Sequence, residues 1–209
     1  MFPNREIAEK ELEIAGKLNH GPWIEHSMNV GLAAQIISEK CGNLNPDKAY
    51  VLGLLHDIGR RYGISARRHG IDGYKFMIEK GWNEVGRICL THSFPVPDFH
   101  KEIGKNDMSH EESEFVRKYL NYITYDDYDK LLIVCDSLAD AQGFCILEKR
   151  FVNTTRRYGT FPFTVERWNA TFEMKEYFEQ QMNCSIYDIL PNVKNTTFID
   201  VPLWTPPVK

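Results

Sequence analysis

The stretch LLHDIGRRYG ends an apolar run with an adjacent His56 and Asp57. A lone histidine in such a run is an ordinary core residue with a hydrogen-bond partner, but a buried carboxylate needs a counter-charge. His26, His69 and His92 stand on apolar helix faces or at a helix start, and Asp136 lies inside the apolar run LLIVCDSLAD. A divalent cation would satisfy all six side chains at once, where separate partners would be needed for each. Imidazole and carboxylate suit a borderline first-row ion, Mn, Fe, Co, Ni or Zn, and the lack of cysteine among the candidates argues against a structural zinc. Such an ion lowers the pKa of water from about 16 toward about 7, which makes hydroxide available at neutral pH.

The elements that must position these residues read as helices. A first helix spans about Asn4 to Leu18, and NHGPW breaks it, with Pro22 in the first turn of the second. The second carries His26, Val30, Ala33, Ala34 and Ile37 on one face, and a third, opened by NLNPDKA, aligns Ala49, Leu52 and His56 and stops near Gly59. Helices follow over about Gly70 to Lys80 and Asn83 to Ser93, the latter with Val85, Ile88, Cys89 and His92 on one face. Pro95 and Pro97 end it, and Phe94 to about His110 reads as a long loop, a length at which loops tend to be functional. Helical pattern resumes through EESEFVRKYLN, through DDYDKLLIVCDSLADAQG, and over about Phe144 to Arg157 and Thr164 to Gln181. The expected fold is one all-α bundle over residues 1–190. Residues 191–209 hold four of the ten prolines and read as an extended arm, not a helix, laid on the body or on a neighbouring subunit.

The segments EHSMNVGLAAQI, GLLHDIGR and LIVCDSLAD, in this order, resemble the HD-domain phosphohydrolase superfamily, in its small stand-alone branch with an HDIG motif. The resemblance covers about Pro22 to Ala141, with weaker likeness in GFCILEKRFVNTTRRYG. It implies a helical HD fold, hydrolysis of a phosphoester or phosphoanhydride by metal-activated hydroxide, and His26, His56, Asp57 and Asp136 as metal ligands. His69 and His92, in RRHGIDGYKFM and ICLTHSF, match positions that supply a second metal in binuclear members. The alternative is a single ion, with the two imidazoles serving as substrate donors or general acids beside Asp57. GIDGYKF has no Pro after its Gly-Tyr, which departs from the relatives that cleave cyclic dinucleotides.

Phosphoryl chemistry also needs cations at the transferring group. Arg60, Arg61, Arg67 and Arg68 follow the His-Asp pair, and Arg150, Arg156 and Arg157 form a second group. Arg60 and Arg157 are the expected phosphate contacts. Tyr62, Trp82, Phe94 and Phe99 are placed in sequence where they could stack on a nucleobase, although aromatics at such places are more often packing residues.

Composition narrows the partners. The 209 residues carry a net charge of −4, which offers no general attraction for nucleic acid, so a small phosphorylated substrate is expected. Five cysteines without a CxxC pair read as reduced thiols of a cytoplasmic protein, and the charged N-terminal stretch gives neither signal peptide nor membrane span. A homodimer is compatible with the arm. The expected function is hydrolysis of a nucleotide or another small phosphorylated metabolite. A dinucleoside polyphosphate or alarmone hydrolase is the enzyme alternative, and a non-catalytic regulatory module is the alternative from another class.

Overall fold

Capping side chains start many of the helices. Asn4 accepts from the Ile7 amide to open α1 (Arg5–Leu18), and Asn45 accepts from the Lys48 amide, with Pro46 in the first turn, to open α3 (Pro46–Leu55). Reciprocal capping boxes open α6 (His110–Tyr122), through Ser109 and Glu112, and α7 (Asp127–Leu138), through Asp126 and Asp129. Between them run α2 (Trp23–Cys41), α4 (Arg68–Glu79) and α5 (Asn83–Thr91); α8 (Leu147–Tyr158), α9 (Thr164–Met182), α10 (Ile186–Ile189) and α11 (Val193–Thr197) follow. The computed structural model describes residues 1–198. Among these the chain is all-α apart from one antiparallel ribbon, β1 (Ala139–Asp140) and β2 (Gly143–Phe144), in which Ala139 faces Phe144.

Three sequence expectations are corrected. The helix carrying the His-Asp pair ends at Leu55, and the chain tightens into a 3-10 turn over Ile58–Tyr62 instead of running on to Gly59. The run after Leu138 leaves the helix for the ribbon, because Gly143 takes φ 127°, a conformation that a helix excludes. The segment from residue 191 is not extended throughout: α11 is helical, with Val193 and Thr197 buried against the body. Residues 199–209 of the expected arm lie outside the described residues.

The main core joins one face of α2 (Val30, Ala33, Ala34, Ile37), most of α3 (Val51, Leu52, Leu54, Leu55) and α7 (Leu131, Leu132, Val134, Cys135), with Phe178 of α9 fully buried. A smaller cluster of Ile71, Leu90, Phe94, Phe99, Val116 and Leu120 seats α6 and the loop after α5 against α4 and α5.

Two close backbone approaches set the position of the polar residues. A Cβ on Gly53 would lie 2.7 Å from the Gly31 Cα, so α2 and α3 can cross at this depth only with glycine on both. The crossing brings the start of α2, with His26, beside the end of α3, with His56. A Cβ on Gly59 would lie 2.0 Å from the His69 carbonyl oxygen and 2.5 Å from the Gly73 nitrogen. The turn after Asp57 is therefore pressed directly onto the first turn of α4.

Candidate metal centre

Each candidate ligand sits at an element end that the packing fixes. His26 lies in the first turn of α2, and His56 caps the C-terminal end of α3. Asp57 occupies the junction to the 3-10 turn with φ −101° and ψ 13°, a sparsely populated bridge conformation. The Asn19 side chain donates to the Arg60 carbonyl at 2.6 Å and holds that turn from the α1–α2 connection. His69 is in the first turn of α4, whose start is held by Asp107: its carboxylate accepts from the Ala66 amide at 2.7 Å and the Arg68 amide at 2.8 Å. His92 caps the end of α5. Asp136 is in the last turn of α7, where Asn29 of α2 donates to the Asp140 carbonyl at 2.7 Å.

The six side chains come together. His26, His56 and Asp57 form one group, and Asp57, His69 and His92 another, each with its ligand atoms within 4.8 Å of one another; Asp57 is shared. His26 Nε2 lies 2.9 Å from Asp136 Oδ1, and His56 Nε2 lies 3.7 Å from the same oxygen. Asp57 Oδ1 is 3.1 Å from His69 Nε2 and 3.6 Å from His92 Nε2, while Asp57 Oδ2 is 3.9 Å from His56 Nε2.

Backbone carbonyls determine which imidazole nitrogen is free. Nδ1 of His56 meets the Gly53 carbonyl at 2.7 Å, Nδ1 of His69 the Ala66 carbonyl at 2.6 Å, and Nδ1 of His92 the Ile88 carbonyl at 3.0 Å. A carbonyl only accepts, so each Nδ1 carries the proton and a neutral ring presents the lone pair of Nε2. Burial pushes the His56 pKa down to about 4 and the His69 pKa down to about 3, so neither ring gains a second proton near neutrality. The consequence is an unfavourable cluster of acceptors. His69 Nε2 and His92 Nε2 face each other at 3.4 Å, and the buried His56 Nε2 and Asp57 Oδ1 have no hydrogen-bond partner. Burial raises the Asp57 and Asp136 carboxyls, yet both are held well below the usual range, Asp57 by Arg60 and three imidazoles and Asp136 by the hydrogen bond from His26 and further imidazoles. Apart from the hydrogen bond from His26 to Asp136 and that from the Ser93 hydroxyl to His92 Nε2 at 3.1 Å, anionic oxygens and imidazole lone pairs converge here, a donor set whose chemistry fits divalent cations.

Five of the six, all but His56, line a cavity of about 370 Å³. Of the four arginines after the His-Asp pair, only Arg60 and Arg67 line it. Arg61 lies over the Phe76 ring at 3.8 Å and pairs with Glu11 at 3.5 Å, and Arg68 forks onto Glu112 at 2.8 and 3.0 Å. Arg60 donates through Nε to Asp57 Oδ2, so in this structure its first partner is the candidate ligand itself. Arg150 and Arg157 of α8 also line the cavity, and Arg156 does not.

Of the two readings of the aromatics near the motifs, packing holds. Phe94 and Phe99 are buried in the smaller cluster, Trp82 packs on the main core, and Tyr62 stands edge-on to Phe76. The aromatic rings at the cavity are Trp23, Phe151, Tyr158 and Trp168.

The loop after α5 supplies a wall through Pro95, Glu102, Ile103 and Gly104. Two arginines pin it. Arg67 donates to the carbonyls of Glu102 and Ile103, and Arg167 of α9 donates to Glu102 Oε2 at 2.8 Å and to the carbonyls of Lys101 and Ser93. Glu102 and Arg167 were not legible as site residues, since neither lies in a motif and their pairing spans 65 positions.

A family model described as HD domain matches residues 23–140, more than half of the chain. Comparison with curated proteins and with solved structures gave no match.

Proposed function

The chain belongs to the HD-domain family, and from that premise we propose that it is a phosphohydrolase dependent on divalent metal, acting on a nucleotide or another small phosphorylated metabolite. The observation that carries this reading is the shared Asp57: two groups of ligand atoms meet on one carboxylate that lines an arginine-lined cavity. That sharing favours two ions over one. His26, His56, Asp57 and Asp136 would hold the first, and Asp57, His69 and His92 the second. The bound ions would supply Lewis acidity toward a phosphoryl oxygen and a water acidified enough to serve as nucleophile.

The chain's own residues do the rest. The Gly53, Ala66 and Ile88 carbonyls hold three imidazoles in the tautomer that offers Nε2 toward the cavity side. With His69 held neutral by burial, proton donation to a leaving group falls to other groups, and His69 serves as a ligand. Arg60, beside Asp57, is placed to meet negative charge growing on a phosphoryl group held there. The pinned loop closes one flank of the cavity against solvent. A cavity of about 370 Å³ is at the small end for ligand sites, which favours a mononucleotide-sized molecule over a dinucleoside polyphosphate.

The test is elemental analysis of protein purified without chelator, followed by a phosphate-release screen over nucleotides and sugar phosphates with Mn²⁺, Ni²⁺ and Co²⁺. Close to two ions per chain and turnover of at least one phosphorylated compound are expected. Protein that takes up no divalent ion and releases no phosphate under any of the three would sink the reading.

A further inference from the structure

Helices α8 and α9 lie beyond the family-matched residues 23–140, yet they complete the cavity. On α8, Arg150, Thr154 and Arg157 recur at helical spacing on one face, and all three line the cavity that also holds Asp57, His69, His92 and Asp136. The cavity arginines differ in what already occupies them. Arg60 is committed to Asp57, and Arg67 and Arg167 to the loop carbonyls and Glu102. Arg150 has only a loose carboxylate partner, Asp140 at 3.8 Å, and that carboxylate also accepts from the Ala141 amide at 2.7 Å. Arg157 donates to the Asn153 carbonyl at 3.4 Å, and among the described residues no carboxylate forms an ion pair with it. Two like charges on one helix face, with a hydroxyl between them and no committed anion, repel each other until an anion is added.

We propose that Arg150, Thr154 and Arg157 form a second anion subsite, which holds a phosphoryl group of the substrate other than the one presented to the His/Asp centre. The inference rests on the phosphohydrolase reading for its substrate and on α8 alone for its site. Two guanidinium forks and a hydroxyl match a tetrahedral dianion with several acceptor oxygens better than a planar carboxylate. The substrate class is therefore a compound with at least two phosphoryl groups, such as a nucleoside di- or triphosphate or a bisphosphorylated metabolite. Cleavage occurs at one end, and the α8 arginines fix the other.

Binding of inorganic tripolyphosphate, followed by calorimetry on the full chain, tests this apart from catalysis. The metal-free wild-type protein is expected to bind tripolyphosphate, and Arg157→Ala should weaken that binding about 10- to 50-fold, with partial recovery in Arg157→Lys. Arg156→Ala, at a neighbour that is exposed like Arg157 but lies outside the cavity, should leave it unchanged. Arg150→Ala should weaken it as well. Equal binding with and without Arg157, or equal losses from Arg156→Ala and Arg157→Ala, would overturn the subsite in favour of diffuse charge. If tripolyphosphate binds on α8 as expected while metal-loaded protein releases no phosphate from any compound, the hydrolase reading fails and the subsite stands.

Discussion

The two ends of α7 each carry a carboxylate, Asp129 fully buried and Asp136 half-buried, and the two are compensated in different ways. Asp129, in the first turn, is fully buried and receives Arg87 through Nε and Nη2, Thr91 through its hydroxyl at 2.8 Å, and the Asp126 amide at 2.9 Å. Its charge and its lone pairs are all assigned inside the protein, and the product is a staple between α5 and α7. Asp136, in the last turn, meets the imidazoles of His26 and His56 at 2.9 and 3.7 Å, and Asp57 beside it has a buried Oδ1 without a hydrogen-bond partner. A buried carboxylate is tolerated only with compensation. Where the compensation is complete the residue belongs to the fold, and where a carboxylate is met largely by imidazoles that can themselves act as ligands, the group has the chemistry of a cation site.

The sharpest way to break this contrast is to neutralise one carboxylate at each end. Asp57→Asn should drop bound metal by at least one ion per chain and lower turnover at least about 10³-fold, roughly 4 kcal/mol of transition-state stabilisation, while the metal-free protein stays helical by circular dichroism. Asp129→Asn should do the reverse: metal stoichiometry of the folded protein is kept, and unfolding free energy falls by about 3 kcal/mol because Arg87 is left beside a neutral group. Elemental analysis and urea titration of both variants read the two effects separately. A stable Asp129→Asn protein that has lost its metal would show that the distinction drawn on hydrogen bonding is false.

Much of this was readable from residue order, and the limits have physical causes. Helical periodicity located the ligand-bearing elements, since His26, His56 and His92 share faces with core residues that must point inward. Asp129 was invisible as a buried residue because DDYDK looks like a solvated helix start, and only Arg87 from α5 makes its burial tolerable. The arginine loop was legible only in part: its four cations look equivalent in sequence, and the turn geometry leaves Arg60 and Arg67 at the cavity while it sends Arg61 and Arg68 to Glu11 and Glu112. Aromatics near a motif in sequence, such as Tyr62 and Phe94, lost to Trp23, Phe151 and Trp168, which arrive at the cavity from other helices. The ribbon at Ala139–Phe144 was hidden by an apolar run whose periodicity does not separate helix from buried strand.

Arg60 offers a finer probe, because it gives the active end of the molecule the kind of partner that Asp129 has. Arg60→Ala removes a cation that competes with metal for Asp57, so affinity for Mn²⁺ should rise, whereas kcat/KM on a verified substrate should fall by about 30-fold, near 2 kcal/mol. Metal titration monitored by calorimetry, set beside steady-state kinetics, separates the two directions. A fall in both would make Arg60 a support for Asp57 in the manner of Arg87, and the phosphate contact would then rest with α8.

The smallest effect compares the His/Asp centre with Glu102 across the same cavity. His56 and His69 are depressed from 6.5 to about 4 and about 3 by burial, so below pH 6.5 the unfolded chain takes up protons that the folded rings refuse. Their contribution to stability is present above pH 6.5 and is lost as pH falls toward 4 and 3. Glu102 runs the other way. Burial raises its pKa from 4.5 to about 7, although Arg167 and Arg67 oppose the rise, because both spend donors on loop carbonyls. Between pH 7 and 4.5 the folded state therefore holds a proton that the unfolded state does not, and stability grows as pH falls through that window. In metal-free protein the two trends oppose each other from pH 6.5 to 4.5, and the two imidazoles should outweigh the one carboxyl to leave a shallow net loss. Glu102→Gln deletes only the opposing gain. Urea midpoints at pH 8, 6.5 and 5 should thus fall more steeply for Glu102→Gln than for the wild type below pH 7, and should run parallel above it. Parallel curves over the whole range would mean that Glu102 ionises as an ordinary carboxyl, its two arginines compensating it as fully as Arg87 compensates Asp129.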